Sequence, residues 1–321
     1  MISGFTKNIM LLAAVAVILA GSAAAQQRSQ RDGDVGILPV RGNVYMAVGS
    51  GGNTTVQIGN DGVLVVDTMT AAAADKLLAA IRTLSQKPIH WIINTSINSD
   101  HTGGNAMLAA AGRHIEGDAG ASIRAYGTVL QRMMSASNGP NAVPLNLWPT
   151  DVYVVEQWDT FVNGEPVLIL HQPAAHTDGD SLVMFRRSDV ISTGDVFTPD
   201  RYPSIDLQKG GSINGLLAGL NHILKLTVPE TNQEGGTMVI PGHGHLCDEA
   251  DVADYRDMVT IVRDRVQNMV NKHMTLDQVR AAHLTRDYDG IYASSEYTGD
   301  MFIETVYRSL TQPVNTLPRS K

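Results

Sequence analysis

The sequence predicts a mixed α/β protein. Short apolar runs, each ending in a polar turn, alternate with segments whose apolar residues recur every three or four positions. Hydrophobic residues make up 43% of the chain and charged residues 17%, a balance that suits a packed globule. The 30 glycines and the 5% aromatic content point to tight turns and close backbone approaches rather than to aromatic anchors. A chain of 321 residues can bury a large core, and no Pro- or Ser-rich linker divides it. One domain is therefore expected over residues 41–248, with a helical extension over 249–321 packed on it.

Residues 1–25 read as a signal peptide. Lys7 closes a short polar start, residues 9–20 are almost wholly apolar, and Ala23-Ala24-Ala25 supplies small residues for cleavage before Gln26. No cysteine follows the apolar run, which argues against a lipid anchor. Export to the periplasm or the medium, without stable membrane anchoring, is the expectation. Residues 26–40 read as a polar leader. Lys7 is the only charged residue of the signal segment, so cleavage takes the net charge from −8 to −9. An acidic chain of this kind repels nucleic acid and anionic membranes. A small-molecule substrate is the expected partner. Cys247 is the only cysteine, which forbids an internal disulfide, and it reads as a buried apolar filler.

Strands are predicted over 44–48 and 54–58, then a turn at Gly59-Asn60-Asp61-Gly62, whose residues tolerate positive φ. Residues 63–66 are continuously apolar and read as a strand buried on both faces. Thr70 is a candidate cap for a helix carrying Leu77, Ile81 and Leu84, which Pro88 stops. Residues 89–94 form the next buried strand and run into the polar, glycine-rich stretch 95–105. A second set of strands is expected at 167–170, 182–185, 190–192 and 238–240. Ser212 starts a helix with Leu216, Leu220, Ile223 and Leu224 on one stripe. Val252, Tyr255, Val259, Val262 and Val266 then mark a long helix, and Thr275 with Gln278 a capping box. Phe302, Val306 and Leu310 form the last stripe. Residues 126–148 read as an insertion between the two sets, either an apolar lid or a segment packed on the core.

Four polar sites follow buried strands, where α/β sheets place function. They are Asn94–Asn105, His176-Thr177-Asp178-Gly179-Asp180, Gly194-Asp195 and Pro241-Gly242-His243-Gly244-His245. Asp100 and His101 sit where a strand stops and a helix starts, and Gly103 and Gly104 let the backbone turn there. A carboxylate beside an imidazole suits zinc, with ligand distances of about 2.0–2.2 Å. Such an ion lowers the pKa of bound water to about 7. Asp178 and Asp180 are expected to bond backbone amides of their own turn, and His171 and His90 to be satisfied strand residues.

Taken in order, these sites resemble the metallo-β-lactamase superfamily. The resemblance rests on Asp67-Thr68 after the 59–66 hairpin, the DHxGGN run at 100–105, HTDGD at 176–180, Gly194-Asp195 and Pro-Gly-His at 241–243. It implies an αββα sandwich of two similar halves with metals at their shared edge. It also implies Asp67 as a carboxylate supporting the ligands, and Asp195 as a bridging ligand between two metal positions. The family's first cluster reads H-x-H-x-D-H, but here the first two histidine positions hold Ser96 and Asn98. The first metal position then keeps only His176 and Asp195, while the second keeps Asp100, His101, Asp195 and His243. Serine and asparagine are much poorer zinc ligands than imidazole.

One zinc ion in the second position is therefore expected, with Asp100 and Asp195 as the residues closest to the chemistry. His245 is a candidate partner for His243, because ligating imidazoles usually need one. His176 and Asn98 are expected to face the vacated position as hydrogen-bond donors to a substrate carbonyl. The activity implied is hydrolysis of an ester, amide or lactone-like bond, with a β-lactam as one case. The alternative is a metal-poor, non-catalytic member acting as a ligand-binding or interaction module. A first site that has merely decayed should regain a second ion on Ser96→His with Asn98→His.

Overall fold

The computed structural model describes residues 34–117, 120–136, 142–228 and 236–314. The expected signal peptide and most of the leader lie outside these residues. Seven strands form the first sheet in sequence order: β1 (Gly36–Arg41), β2 (Val44–Gly49), β3 (Gly52–Gly59), β4 (Gly62–Val66), β5 (Ile89–Ile93), β6 (Ser122–Tyr126) and β7 (Asp151–Tyr153). The first four run antiparallel, and β4 to β7 pair in parallel. The second sheet has the order β12-β11-β10-β9-β8, from β8 (Gln157–Val162), β9 (Glu165–Gln172), β10 (Asp180–Phe185), β11 (Val190–Ser192) and β12 (Met238–Ile240).

Three apolar layers define the sandwich. Between the sheets, Val44, Met46, Leu64, Val66 and Ile93 meet Val167, Ile169, Val183, Phe185 and Ile240. On the outer face of the first sheet, Val56, Val63, Val65 and Ile92 pack on Leu77 and Ile81 of α1 (Ala74–Leu84). Leu64 and Val65 thus serve different cores, which is why β4 needs an unbroken apolar run. On the outer face of the second sheet, Leu182, Met184 and Ile191 share a cluster with Leu216, Leu220 and Ile223 of α5 (Ile213–Leu226). The same cluster takes in Val252, Val259 and Val262 of α6 (Glu249–Asn271) and Phe302 and Val306 of α9 (Gly299–Thr311). The layers are helix, sheet, sheet, helix.

Between α1 and α5 lie α2 (Ser99–Thr102), α3 (Asn105–Ala110) and α4 (Gly127–Ser135); between α6 and α9 lie α7 (Leu276–Ala281) and α8 (Asp289–Tyr292). Ser212 caps α5 by accepting from the Gly215 amide, and the Thr275–Gln278 box opens α7. Two expectations are corrected. Gly36–Arg41 is a strand, so the polar leader ends before it; its register with β2 shifts at Pro39/Arg41. Thr70 makes no side-chain cap; a 3-10 turn, Ala71–Ala73, feeds α1 instead. Of the two readings of residues 126–148, the described part packs on the core: a strand end leads into α4, whose Val129 and Met133 are buried with Ala125, and Val143 and Trp148 pack against them. Cys247 is buried, and burial among Asp251, Asp248 and Asp200 pushes its thiol pKa up.

Candidate metal centre

Asp100 and His101 lie on the single turn α2, which follows β5 after residues 94–98. A Cβ on Gly104 would sit 2.3 Å from the Thr68 carbonyl oxygen, and one on Gly103 2.5 Å from the Ala71 amide nitrogen. Only glycines let α2 press this closely on the 68–71 loop. The His101 carbonyl is then fixed by three donors: the Thr68 amide at 2.9 Å, the Thr68 hydroxyl at 3.1 Å and the Asn94 side-chain amide at 3.0 Å. Asn105 completes the lock, donating to Asn94 Oδ1 at 2.8 Å. Asn94 is a supporting residue that no spacing rule pointed to.

Asp195 follows β11 and His243 follows β12, so the second sheet delivers them to the same edge. Ligand atoms of Asp100, His101, Asp195 and His243 all lie within 4.8 Å of one another. His101 Nε2 is 3.1 Å from Asp195 Oδ2; His243 Nε2 is 3.1 Å from Asp100 Oδ2 and 3.5 Å from Asp195 Oδ1. Two nitrogens and two carboxylates converging this way form a donor set that suits a divalent ion. Among the described residues, the buried His101 Nε2 and Asp195 Oδ1 make no well-formed hydrogen bond. Buried polar atoms left so are what a ligated cation would satisfy. The residues present fit a metal.

The charges agree. Burial by itself would raise the Asp195 pKa, but His101, His176 and His243 around it hold the carboxyl far below its ordinary value. Burial likewise disfavours charged His101, yet Asp195 and Asp67 outweigh it and hold the ring well above the usual imidazole range. Asp100 is depressed despite its burial, by His243 and His101. Asp67 Oδ2 accepts from His101 Nδ1 at 2.7 Å and from the Thr95 hydroxyl at 2.5 Å, and its Oδ1 accepts from the Thr95 amide at 2.7 Å. This fixes the ring with Nε2 toward the centre.

His176 stands outside that group. Its Nε2 is 3.7 Å from Asp195 Oδ2, and the Asn98 side-chain amide donates to it at 2.7 Å. Its Nδ1 donates to the Ser204 carbonyl at 2.6 Å. His176 thus donates to Ser204 and accepts from Asn98, which corrects its expected role as a donor to a substrate carbonyl; Asn98 has a second amide N–H and lines the cavity beside the centre. Ser96 is fully buried and its hydroxyl has no hydrogen-bond partner among the described residues. His245 is exposed and groups with Cys247 and Asp251, and it makes no hydrogen bond to His243 among the described residues.

Nearby residues hold the frame. Asp180 accepts from the Thr177 amide at 2.7 Å, as expected of its turn. Asp178 instead takes both arms of the Arg132 guanidinium, at 2.7 and 2.6 Å, tying the turn to α4. His171 stacks on Tyr126 with centroids 3.4 Å apart. A cavity of about 1150 Å³ opens beside the centre, lined by Asp100, Asn98 and Lys209 and by apolar Ile97, Met133 and Leu147.

The model of the metallo-β-lactamase superfamily matches residues 47–243. The chain belongs to that superfamily. No curated protein matches it in sequence. Among solved structures, the stereoselective inverting sec-alkylsulfatase Pisa1 from Pseudomonas sp. matches with a TM-score of 0.67 at 18% identity, over 85% of this chain and 50% of that one. The chain thus spans half the length of that sulfatase. A metallo-β-lactamase from Pontibacter korlensis matches with a TM-score of 0.55 at 13% identity, over 71% of this chain and 99% of the other. The DIM-1 metallo-β-lactamase matches with a TM-score of 0.55 at 16% identity, over 71% and 97%. At these identities the neighbours establish the superfamily's sandwich, here with its C-terminal helices, and nothing of the substrate.

Proposed function

We propose that this chain is an exported metallohydrolase that works with one zinc ion, held by Asp100, His101, Asp195 and His243, on an ester, amide or lactone-like bond of a small molecule. The observation that carries the reading is the convergence of those four side chains within 4.8 Å, with His176 outside the group. A zinc ion there would act as a Lewis acid and make water nucleophilic near neutral pH.

The chain's own residues do the rest. Asp67 keeps His101 in one tautomer, so its Nε2 lone pair faces the centre. Asp195 stays ionised and presents a buried oxygen, Oδ1, to a ligand or to a water O–H. Asp100, a cavity wall residue as well as a member of the group, joins the centre to the space where a substrate is received. The apolar side chains of Ile97, Met133 and Leu147 exclude water from part of that space and suit a substrate with an apolar body.

Elemental analysis of the purified protein tests the reading. About one equivalent of zinc is expected, lost in His243→Ala and retained in His176→Ala, with hydrolysis of an activated ester abolished by a chelator and restored by zinc. Metal-free protein whose melting temperature ignores chelators would favour the non-catalytic binding module. Two tightly held ions in the wild type would overturn the single-site assignment.

A further inference from the structure

The position next to the centre is not an empty remnant. The Lys209 ammonium donates to Asn98 Oδ1 at 3.2 Å and to Asp206 Oδ2 at 2.7 Å. An ammonium only donates, so the Asn98 oxygen must face Lys209 and its amide nitrogen must face His176. A carbonyl only accepts, so the Ser204 bond requires a proton on His176 Nδ1. That leaves the Nε2 lone pair as acceptor for Asn98. Every donor direction from Lys209 to Ser204 agrees. The lone pair with which His176 could ligate a metal is already used.

The turn that carries Lys209 is built onto the His176 segment. The Asp206 amide donates to the His176 carbonyl at 2.9 Å, and the Asp178 amide to the Lys209 carbonyl at 2.9 Å. A Cβ on Gly211 would lie 2.1 Å from the His176 carbonyl oxygen, so the close approach needs glycine. Asp206 caps the turn by accepting from the Gln208 and Lys209 amides. Lys209 is thus held by main chain as well as by its ion pair.

We propose that Lys209, through Asn98, stands in for the first cation of the site: its fixed charge engages the residues that a first metal would have engaged, and repels a second ion. Lys209 is a positioning residue here, and the inference rests on reading the centre as a metal site. On this account the centre is built for one metal: Asn98→His removes the relay and frees the His176 lone pair, but the Lys209 charge stays beside the position, so restoring two histidines is not enough to restore two ions.

Zinc and cobalt(II) titrations, followed by calorimetry and by the cobalt absorption bands, test this in the full-length protein. The wild type and Ser96→His/Asn98→His are expected to take up one equivalent. Adding Lys209→Met to the double variant should admit a second equivalent, bound at least tenfold more tightly than by the double variant. Adding Lys209→Arg instead should not, because it keeps the charge. A double variant that binds its second ion as tightly as the Lys209→Met triple variant overturns the proposal. The single Lys209→Met variant gives an independent reading that does not need the triple variant to fold. Removal of a like charge should tighten the one site at least threefold, with Lys209→Arg at wild-type affinity. Unchanged or weaker binding in Lys209→Met marks a merely structural ion pair and overturns the proposal. These readouts do not use turnover. A protein with this binding pattern that hydrolyses nothing sinks the hydrolase reading alone; one that hydrolyses esters but ignores residue 209 sinks this proposal alone.

Discussion

Asp67 holds a backbone φ of 63°, in the left-handed region that Asp and Asn tolerate better than most side chains. What offsets that conformation is the carboxylate's set of bonds to His101 and Thr95, all within the buried edge. Asn at this position keeps the shape and the φ but offers one acceptor oxygen instead of two. Asp67→Asn should therefore weaken zinc binding roughly 10–100-fold, measured by competition with a chromophoric chelator. Unchanged affinity would mean that the bonds to the His101 carbonyl suffice to aim the ring. Asp180 carries a different liability. Burial is the main cause of its pKa rising to about 6, against 3.8 for a free side chain, while His176 and Thr177 oppose the shift. Folded protein then keeps the Asp180 proton up to about pH 6, whereas unfolded chain loses it near pH 3.8. Between those values the native state binds more protons, so stability falls as pH rises, and the full penalty stands above pH 6. Asp180→Asn removes this titration. In urea denaturation of metal-free protein, the wild type should gain on the variant by roughly 2–3 kcal/mol between pH 7 and pH 4. A constant difference across that range would refute the assignment.

Among the elements, the segment after Asp195 does the most connecting. Tyr202 is fully buried, stacks on Phe302 of α9 with centroids 4.9 Å apart, and donates to Asp289 Oδ1 at 2.8 Å. The stretch thus anchors in the C-terminal helices at Tyr202 and reaches the centre at Lys209. Tyr202→Ala should cost about 3–5 kcal/mol in urea denaturation, and Tyr202→Phe about 1 kcal/mol for the lost hydrogen bond. Equal effects of the two would show that packing against Phe302 contributes little. How far such elements can be read from sequence depends on what hides them. The strands at 63–66, 182–185 and 238–240 stood out because they are largely buried on both faces and so carry no polar residue in their apolar runs; at 190–192 the run is Val190-Ile191, closed by a buried Ser192. Ser122–Tyr126 and Gln157–Val162 did not. Their polar residues have partners distant in sequence, such as Arg124, which lies 3.4 Å over the Trp158 ring. Gly36–Arg41 was disguised by Pro39, which is tolerated because β1 is an edge strand. The four clustered donors were legible because each lies in a short motif just after a strand. The Lys209–Asn98–His176 chain was not, since it exists only once the 206–211 turn has folded onto residues 176–178.

At the scale of the molecule, the C-terminal helices are part of the core rather than an appendage. Val252, Val259, Val262, Phe302 and Val306 are buried in the cluster that covers the second sheet. Ending the chain at residue 248 should strip that cover and give an insoluble or non-cooperatively melting product, whereas the full chain should melt in one transition by calorimetry. Two transitions in the full chain would mark the extension as an independent unit. The distribution of the donors has a further consequence for the two halves. Asp100 and His101 come from the end of β5 in one sheet, Asp195 and His243 from the ends of β11 and β12 in the other. An ion at that seam would be a rivet as well as a reagent. Its hold on the fold grows with the logarithm of free metal, reaching about 2.7 kcal/mol at a hundredfold excess over Kd. Metal starvation would then shorten the protein's lifetime in the presence of proteases, and turnover of the chain itself would follow the supply of zinc.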